Sequence, residues 1–354
     1  MDIAKIDPNF KLKSSLSEPN IQWFDVRQEP FRVYGLYNYK EEPVFCRLPK
    51  DVADATNAGV AELHYHTAGG RVRFKTNSRY IALQADMPSI GRMAHMTHLG
   101  SAGFDLYRDL GQTSVFTGSF MPNGTNPHGY EAIVYTDGAL HDYVLNFPLY
   151  SGVNNLYIGL EEGSVLCEGE RYRTEKPIVY YGSSITQGGC ASRPGNSYQG
   201  FISRKLDCDY INLGFSGSGR AEKPIVDYMS GLDMSVFVSD YDYNAPDAEY
   251  LAQTLPGLYE TLRAKQPELP IILISKPDFE RNIPNSIKRR QVIFSQYAKA
   301  LDAGDQNIYY IDGAGLFRGD CRDACTVDGC HPNDLGFYRM ADVIGTVLER
   351  ILQK

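Results

Sequence analysis

Two adjacent serines, Ser183 and Ser184, lie in Gly182-Ser183-Ser184-Ile185-Thr186-Gln187-Gly188, and far downstream a histidine follows an aspartate in Thr326-Val327-Asp328-Gly329-Cys330-His331-Pro332. Hydroxyl, imidazole and carboxylate are the parts of an activated serine. The imidazole takes the hydroxyl proton, and the carboxylate orients the ring and stabilises the imidazolium. Asp328 stands close enough to His331 for one turn to put its carboxylate on the ring. Two further segments offer donors to a developing oxyanion: the glycine-rich Asn212-Leu213-Gly214-Phe215-Ser216-Gly217-Ser218-Gly219, through backbone N–H groups, and Asn244, through its side-chain amide. Taken singly, each reads as ordinary structure: a Ser/Gly turn capping a helix, a flexible turn, an Asx-turn before Pro246, a capping turn with a surface histidine. The residues themselves do not choose between Ser183 and Ser184.

The elements that must position these groups change character near residue 175. Before it, short period-two runs such as 71–76, 80–85 and 130–135 are separated by turn residues, including Asp137-Gly138 and Pro122-Asn123-Gly124. They predict an antiparallel β-sandwich with no long helix, over residues 1–174. From 175 to 354 the pattern is strand then helix. Apolar runs at 178–181, 210–213, 236–238, 271–274 and 308–311 alternate with helical periodicity at 248–265, 286–303 and 333–352. This predicts a parallel sheet with helices on both faces. Ligands of such sheets bind at the carboxyl ends of the strands. The Ser183/Ser184 pair, the glycine-rich segment 212–219, Asn244 and the Asp328/His331 pair each follow a different strand, in chain order, and that combination says more than its parts.

Composition sets the outer bounds. A formal net charge of −8 over 354 residues disfavours nucleic-acid backbones and anionic membrane surfaces. No stretch is long and apolar enough to span a bilayer. Residues 1–17 lack a secretory signal, which predicts a cytoplasmic protein, or a secreted or periplasmic one whose leader has been removed. Seven scattered cysteines predict reduced thiols. Cys321, Cys325 and Cys330 with His331 form a weak metal pattern, outside the usual paired knuckles. Asp240 and Asp242 lack a third acidic ligand nearby. No metal or organic cofactor is expected, and the sequence does not set the oligomeric state; a homo-oligomer is compatible with it.

From about residue 176 to the C-terminus the chain resembles the SGNH (GDSL-like) hydrolases. Gly-Ser-Ser-Ile-Thr-Gln-Gly matches the family's first block, Asn-Leu-Gly-Phe-Ser-Gly the second and Asp-Gly-Cys-His-Pro the last. The resemblance implies Ser184 as nucleophile, Asp328 and His331 as its partners, and an oxyanion hole from the N–H groups of Ser184 and Gly217 with the amide of Asn244. The third block departs from the family's Gly-x-Asn-Asp, since Asn244 stands in Tyr-Asp-Tyr-Asn-Ala-Pro. Gly103-Phe104-Asp105-Leu106-Tyr107 resembles the GxDLY motif of β-sandwich domains that precede some of these esterases, with Asp105 and Tyr107 expected to bond a loop or pack the sandwich. The implied architecture is a flavodoxin-like three-layer αβα domain after a jelly-roll-like sandwich. The implied activity is hydrolysis of small acyl, often acetyl, esters of carbohydrates or other small molecules. An acyltransferase with the same triad and a non-catalytic carbohydrate-binding protein are the alternatives. His95 and His98 are candidate cleft residues, and Trp23 is expected to pack under a strand rather than stack on a sugar.

Overall fold

The computed structural model describes residues 14–111, 113–124 and 126–353. Residues 1–13, most of the segment read as lacking a secretory signal, lie outside the described residues. The chain divides into two compact units, one of residues 1–47, 65–172 and 192–195, the other of 48–64, 173–191 and 196–354.

The first unit is two antiparallel sheets. One has the strand order Ile21–Asp25, Asn155–Glu161, Tyr80–Asp86, Gly129–Tyr135. The other runs Leu166–Glu168, Arg71–Thr76, His141–Asn146, Phe104–Asp109, Ser114–Phe120, with Arg32–Tyr34 also paired to Arg71–Thr76. Period-two alternation does what it should. Ile81, Leu83 and Ala85 join Val72, Phe74, Phe104 and Leu145 in one core, while Tyr80 and Ala82 turn the other way to pack with Trp23 and Tyr157. Fully burying each large apolar side chain contributes about 1.5–3 kcal/mol. Trp23 is buried there, as expected of a packing residue.

The second unit is a five-stranded parallel sheet. Its elements in chain order are β1 (Thr174–Gly182), α1 (Ser184–Gln187), α2 (Tyr198–Leu206), β2 (Cys208–Gly214), α3 (Lys223–Ser230), β3 (Val236–Asp240), α4 (Ala248–Lys265), β4 (Ile271–Ile274), α5 (Ile283–Asp302), β5 (Ile308–Ile311) and α6 (Asp334–Leu352). The strand order is β2-β1-β3-β4-β5, the flavodoxin-like order predicted from the resemblance. Side chains of β1 serve both faces. Val179 and Tyr181 enter a core with Ile225 of α3, Leu251 and Leu258 of α4 and Ile293 of α5. Tyr180 faces the other way, with edge-on contacts to Tyr198 of α2 and Tyr210 of β2, and Tyr198 lies against Phe337 of α6. Burial on both faces explains why these strands read as unbroken apolar runs.

Residues 48–64, within the stretch 1–174 read as sandwich, belong to the second unit. Here Lys50–Thr56 and Ala58–Leu63 are short helices, and Leu48, Ala53 and Val60 join the second unit's core. Their local signals are a proline at 49 and Asn57, whose side chain accepts from the Val60 N–H at 2.9 Å as an N-cap. No helix among the described residues is long and apolar enough to cross a membrane. None of the seven cysteines is paired in a disulfide.

Candidate active site

β1 ends at Gly182 and the chain turns at once into α1. Ser183 is the N-cap. Its Oγ accepts from the Ile185 N–H at 3.1 Å, and its own N–H donates to Thr186 Oγ1 at 3.2 Å, closing a capping box. Ser184, one residue on, holds its Oγ 3.0 Å from His331 Nε2. The ambiguity between the two serines is thus divided by geometry: one hydroxyl caps the helix and the other meets the imidazole.

His331 Nδ1 lies 2.8 Å from Asp328 Oδ2. The other carboxylate oxygen accepts from the N–H groups of Cys330 at 2.9 Å and His331 at 2.8 Å. A single turn therefore locks carboxylate and ring together. With the proton assigned to Nδ1, Nε2 presents a lone pair to the Ser184 hydroxyl. Burial pushes the Asp328 carboxyl up, but the bonds from the His331 ring and the two N–H groups hold it down to about 2. Hydrogen bonding with Cys330 raises the His331 imidazole, burial opposes it and Asp328 adds to it, for a value of about 9.

The glycine loop after β2 is drawn against α1. The Ser216 N–H donates to Gln187 Oε1 at 3.0 Å, and a Cβ on Gly214 would come within 2.2 Å of the Gln187 nitrogen. Gly217 sits at the tip, and its N–H donates to no acceptor among the described residues. Asn244 approaches from the turn 242–244 after β3. Its Nδ2 donates to Phe215 O at 2.8 Å and Gly219 O at 3.1 Å. An amide nitrogen has two hydrogens, so both are engaged. Asn244 was expected to present an open amide to the oxyanion; here it holds the ends of the loop that carries Gly217.

Several residues that the sequence did not mark as supports brace these groups. Asn212 and Gln199 both donate to Thr186 O, at 2.8 and 2.7 Å, bracing α1 from below. Asp240, fully enclosed, accepts from Thr186 Oγ1 at 3.0 Å and Tyr198 O–H at 3.2 Å, and burial raises its carboxyl to about 7. Asn57 donates to Ser218 O at 2.9 Å. A polar residue inside an apolar strand run, as Asn212 is, was the available signal. Asp242 serves a separate network, accepting from the Lys276 N–H at 2.9 Å and pairing with Arg289 at 3.0 Å. The two aspartates thus belong to separate networks.

The three cysteines of the segment 321–330 have different surroundings: Cys321 is exposed and Cys330 partly buried. Cys325 is buried, 3.3 Å from Arg339 Nη1. Among the described residues, Asp328, Cys330 and His331 have ligand atoms within 4.8 Å of one another. This group shares two members with the carboxylate–imidazole pair, whose facing atoms already bond each other. His95 and His98 lie in the first unit, His98 opening the short helix His98–Ala102.

Residues 175–349 match the profile of the GDSL-like lipase/acylhydrolase family, and residues 21–166 match that of the GxDLY N-terminus of SGNH-hydrolase-type esterases. No curated protein sequence matches the chain significantly. Among solved structures, one described as a GDSL-like lipase from Bacteroides ovatus superposes with a TM-score of 0.85 at 28% identity, covering 94% of this chain and 98% of that one. A salicylyl-acyltransferase from a tetracycline biosynthetic pathway gives 0.75 at 18% identity, covering 95% and 99%. An acetyl xylan esterase from the rumen bacterium Butyrivibrio proteoclasticus gives 0.61 at 12% identity, covering 94% and 99%. Together these matches identify the chain as a carboxylic ester hydrolase with a GDSL-like lipase/acylhydrolase domain over residues 175–349 and a GxDLY-type N-terminal domain over residues 21–166.

Proposed function

We propose that Ser184 is the nucleophile, His331 its base and Asp328 the residue that orients the base, in the hydrolysis of short-chain, acetyl-sized esters of carbohydrates or similar polyols. The observation that carries this reading is the unbroken line of contacts from Ser184 Oγ to His331 Nε2, 3.0 Å, and from His331 Nδ1 to Asp328, 2.8 Å. His331 takes the Ser184 proton as Oγ attacks the ester carbonyl. The tetrahedral oxyanion lies against the N–H groups of Ser184 and Gly217, with Asn244 contributing through the loop it holds. Collapse expels the alcohol, which leaves with the proton from His331. Water, deprotonated by His331, then attacks the acyl-serine and releases the acid. No step calls on a metal or organic cofactor.

The acetyl-on-sugar reading is supported by the acetyl xylan esterase among the similar structures, a likeness of fold rather than of residues. The likeness to an acyltransferase favours one second reading, transfer of the acyl group to an alcohol instead of water. Ser184→Ala, assayed with an aryl acetate and a panel of acetylated sugars and longer acyl esters, tests the assignment. Turnover should vanish with the fold intact; retained activity refutes the nucleophile. A preference for long acyl chains refutes the carbohydrate reading, and acyl transfer outrunning hydrolysis in the presence of added sugars selects the second one.

A further inference from the structure

The Gly103-Phe104-Asp105-Leu106-Tyr107 motif lies at the start of the sandwich strand Phe104–Asp109. Asp105 is fully buried. Asn146, its cross-strand partner, donates Nδ2 to Oδ1 at 2.8 Å, the Gly195 N–H donates to Oδ2 at 2.9 Å, and the Arg193 guanidinium lies 3.6 Å away. Two residues on, the Tyr107 hydroxyl oxygen accepts from Arg193 Nε at 3.1 Å. Gly195 is held so closely that a Cβ there would lie 2.6 Å from Tyr107 Cε2 and 2.9 Å from Asp105 Oδ2.

The segment gripped in this way, residues 192–195, belongs to the sandwich unit, although the chain on either side of it belongs to the parallel-sheet unit. It is the middle of a strap, residues 188–196, that begins where α1 ends. Both flanks of the strap bond the corner that carries the imidazole, within the second unit. The Cys190 N–H donates to Pro332 O at 2.8 Å, and Asn196 Nδ2 donates to Asp334 Oδ2 at 2.8 Å. Pro332 follows His331 directly, and Asp334 opens α6.

We propose that Asp105 is a positioning residue for His331: by holding Gly195 it fixes the strap whose two flanks tie down the histidine corner. This rests on the reading of Ser184 and His331 as the reacting pair. A buried carboxylate is a costly way to fill a strand position, where an apolar side chain would pack at less expense. What it adds is direction, since its hydrogen bonds hold one backbone N–H in one place. The motif's aspartate and tyrosine thus act on the reaction through the loop after the nucleophile helix, without touching substrate.

The test uses the full chain with Asp105→Asn, which keeps the size but removes the charge and replaces one of the two acceptor oxygens with a donor, and Gly195→Ala, which pushes the strap away without altering the sandwich core. Thermal unfolding establishes that each variant is folded. Misplacement of the base should lower kcat for an aryl acetate ~10–100-fold, with KM within about threefold. The low-field proton resonance of His331 Nδ1–H should broaden or shift in both variants and remain in Ser184→Ala. Adding Asn196→Ala to Asp105→Asn should cost little more than the worse single change, because both act through the strap. Wild-type kcat and an unchanged resonance in a folded variant overturn the proposal, as do fully additive losses. Absence of any turnover that Ser184→Ala removes would instead defeat the esterase reading, and the resonance alone then decides the positioning role. Where Asp105→Asn fails to fold, Gly195→Ala and Asn196→Ala carry the same test.

Discussion

His331 has two partners that raise its imidazole, and removing them one at a time separates their contributions. In the proposed mechanism the ring acts as a neutral base, so kcat/KM should climb with pH and be half-maximal near the ring's pKa in the free enzyme. With that value at about 9 against an ordinary 6.5, the acid limb should lie well above that of an isolated histidine. The first contributor is the hydrogen bond with Cys330, the second the bond to Asp328. Cys330→Ala leaves carboxylate and tautomer in place, so the limb should move toward neutral by ~1–2 pH units, with the plateau rate within a few-fold of wild type. Asp328→Asn removes both charge and tautomer control, so the limb should fall and the plateau with it, by ~10³–10⁴-fold. Initial rates on an aryl acetate from about pH 5 to pH 10, corrected for alkaline background hydrolysis, read both quantities. A wild-type limb near 6.5, or a Cys330→Ala limb at the wild-type position, refutes the reasoning. The same pair sets the sign for stability. The raised imidazole contributes fully below 6.5 and loses its contribution as pH rises through about 9. The depressed Asp328 carboxyl contributes above 3.8 and loses it as pH falls through about 2.

Three other outcomes follow from contacts around the site. Gly214→Ala places a Cβ 2.2 Å from Gln187 N and 2.6 Å from Thr186 C, both backbone atoms, so denaturant unfolding should show a loss of ~2 kcal/mol or more. Asn244→Ala releases the carbonyls of Phe215 and Gly219, so kcat should drop ~10²-fold with KM little changed, and equal kcat would remove Asn244 from the oxyanion loop's support. Arg289→Met strands the buried Asp242 carboxylate, and urea melts should register ~3–5 kcal/mol, an unshifted midpoint excluding the pair as a stabilising contact.

Much of the second unit was legible in the chain. The runs at 178–181, 210–213, 236–238, 271–274 and 308–311 fall within its five strands, because burial on both faces leaves a signal that needs no long-range information. The sandwich strands at 71–76 and 80–85 showed equally well through their alternation. The pair Lys50–Thr56 and Ala58–Leu63 did not, since two short helices carry too few turns for a period to stand out, and their place in the second core is set by contacts more than a hundred residues away.

By itself, the sequence determined which residue types are available for acyl transfer and at which strand ends they stand, because strand periodicity and the spacing of Asp328 from His331 are local properties. Only the tertiary structure decided which serine hydroxyl is taken by a helix cap and which meets the imidazole, that Asn244 spends both amide hydrogens on two carbonyls, and that Asp105 reaches Gly195 ninety residues on. Those outcomes turn on distances of about 3 Å between groups far apart in the chain, and a hydrogen bond's direction and competition for its donors exist only once the backbone has brought them together.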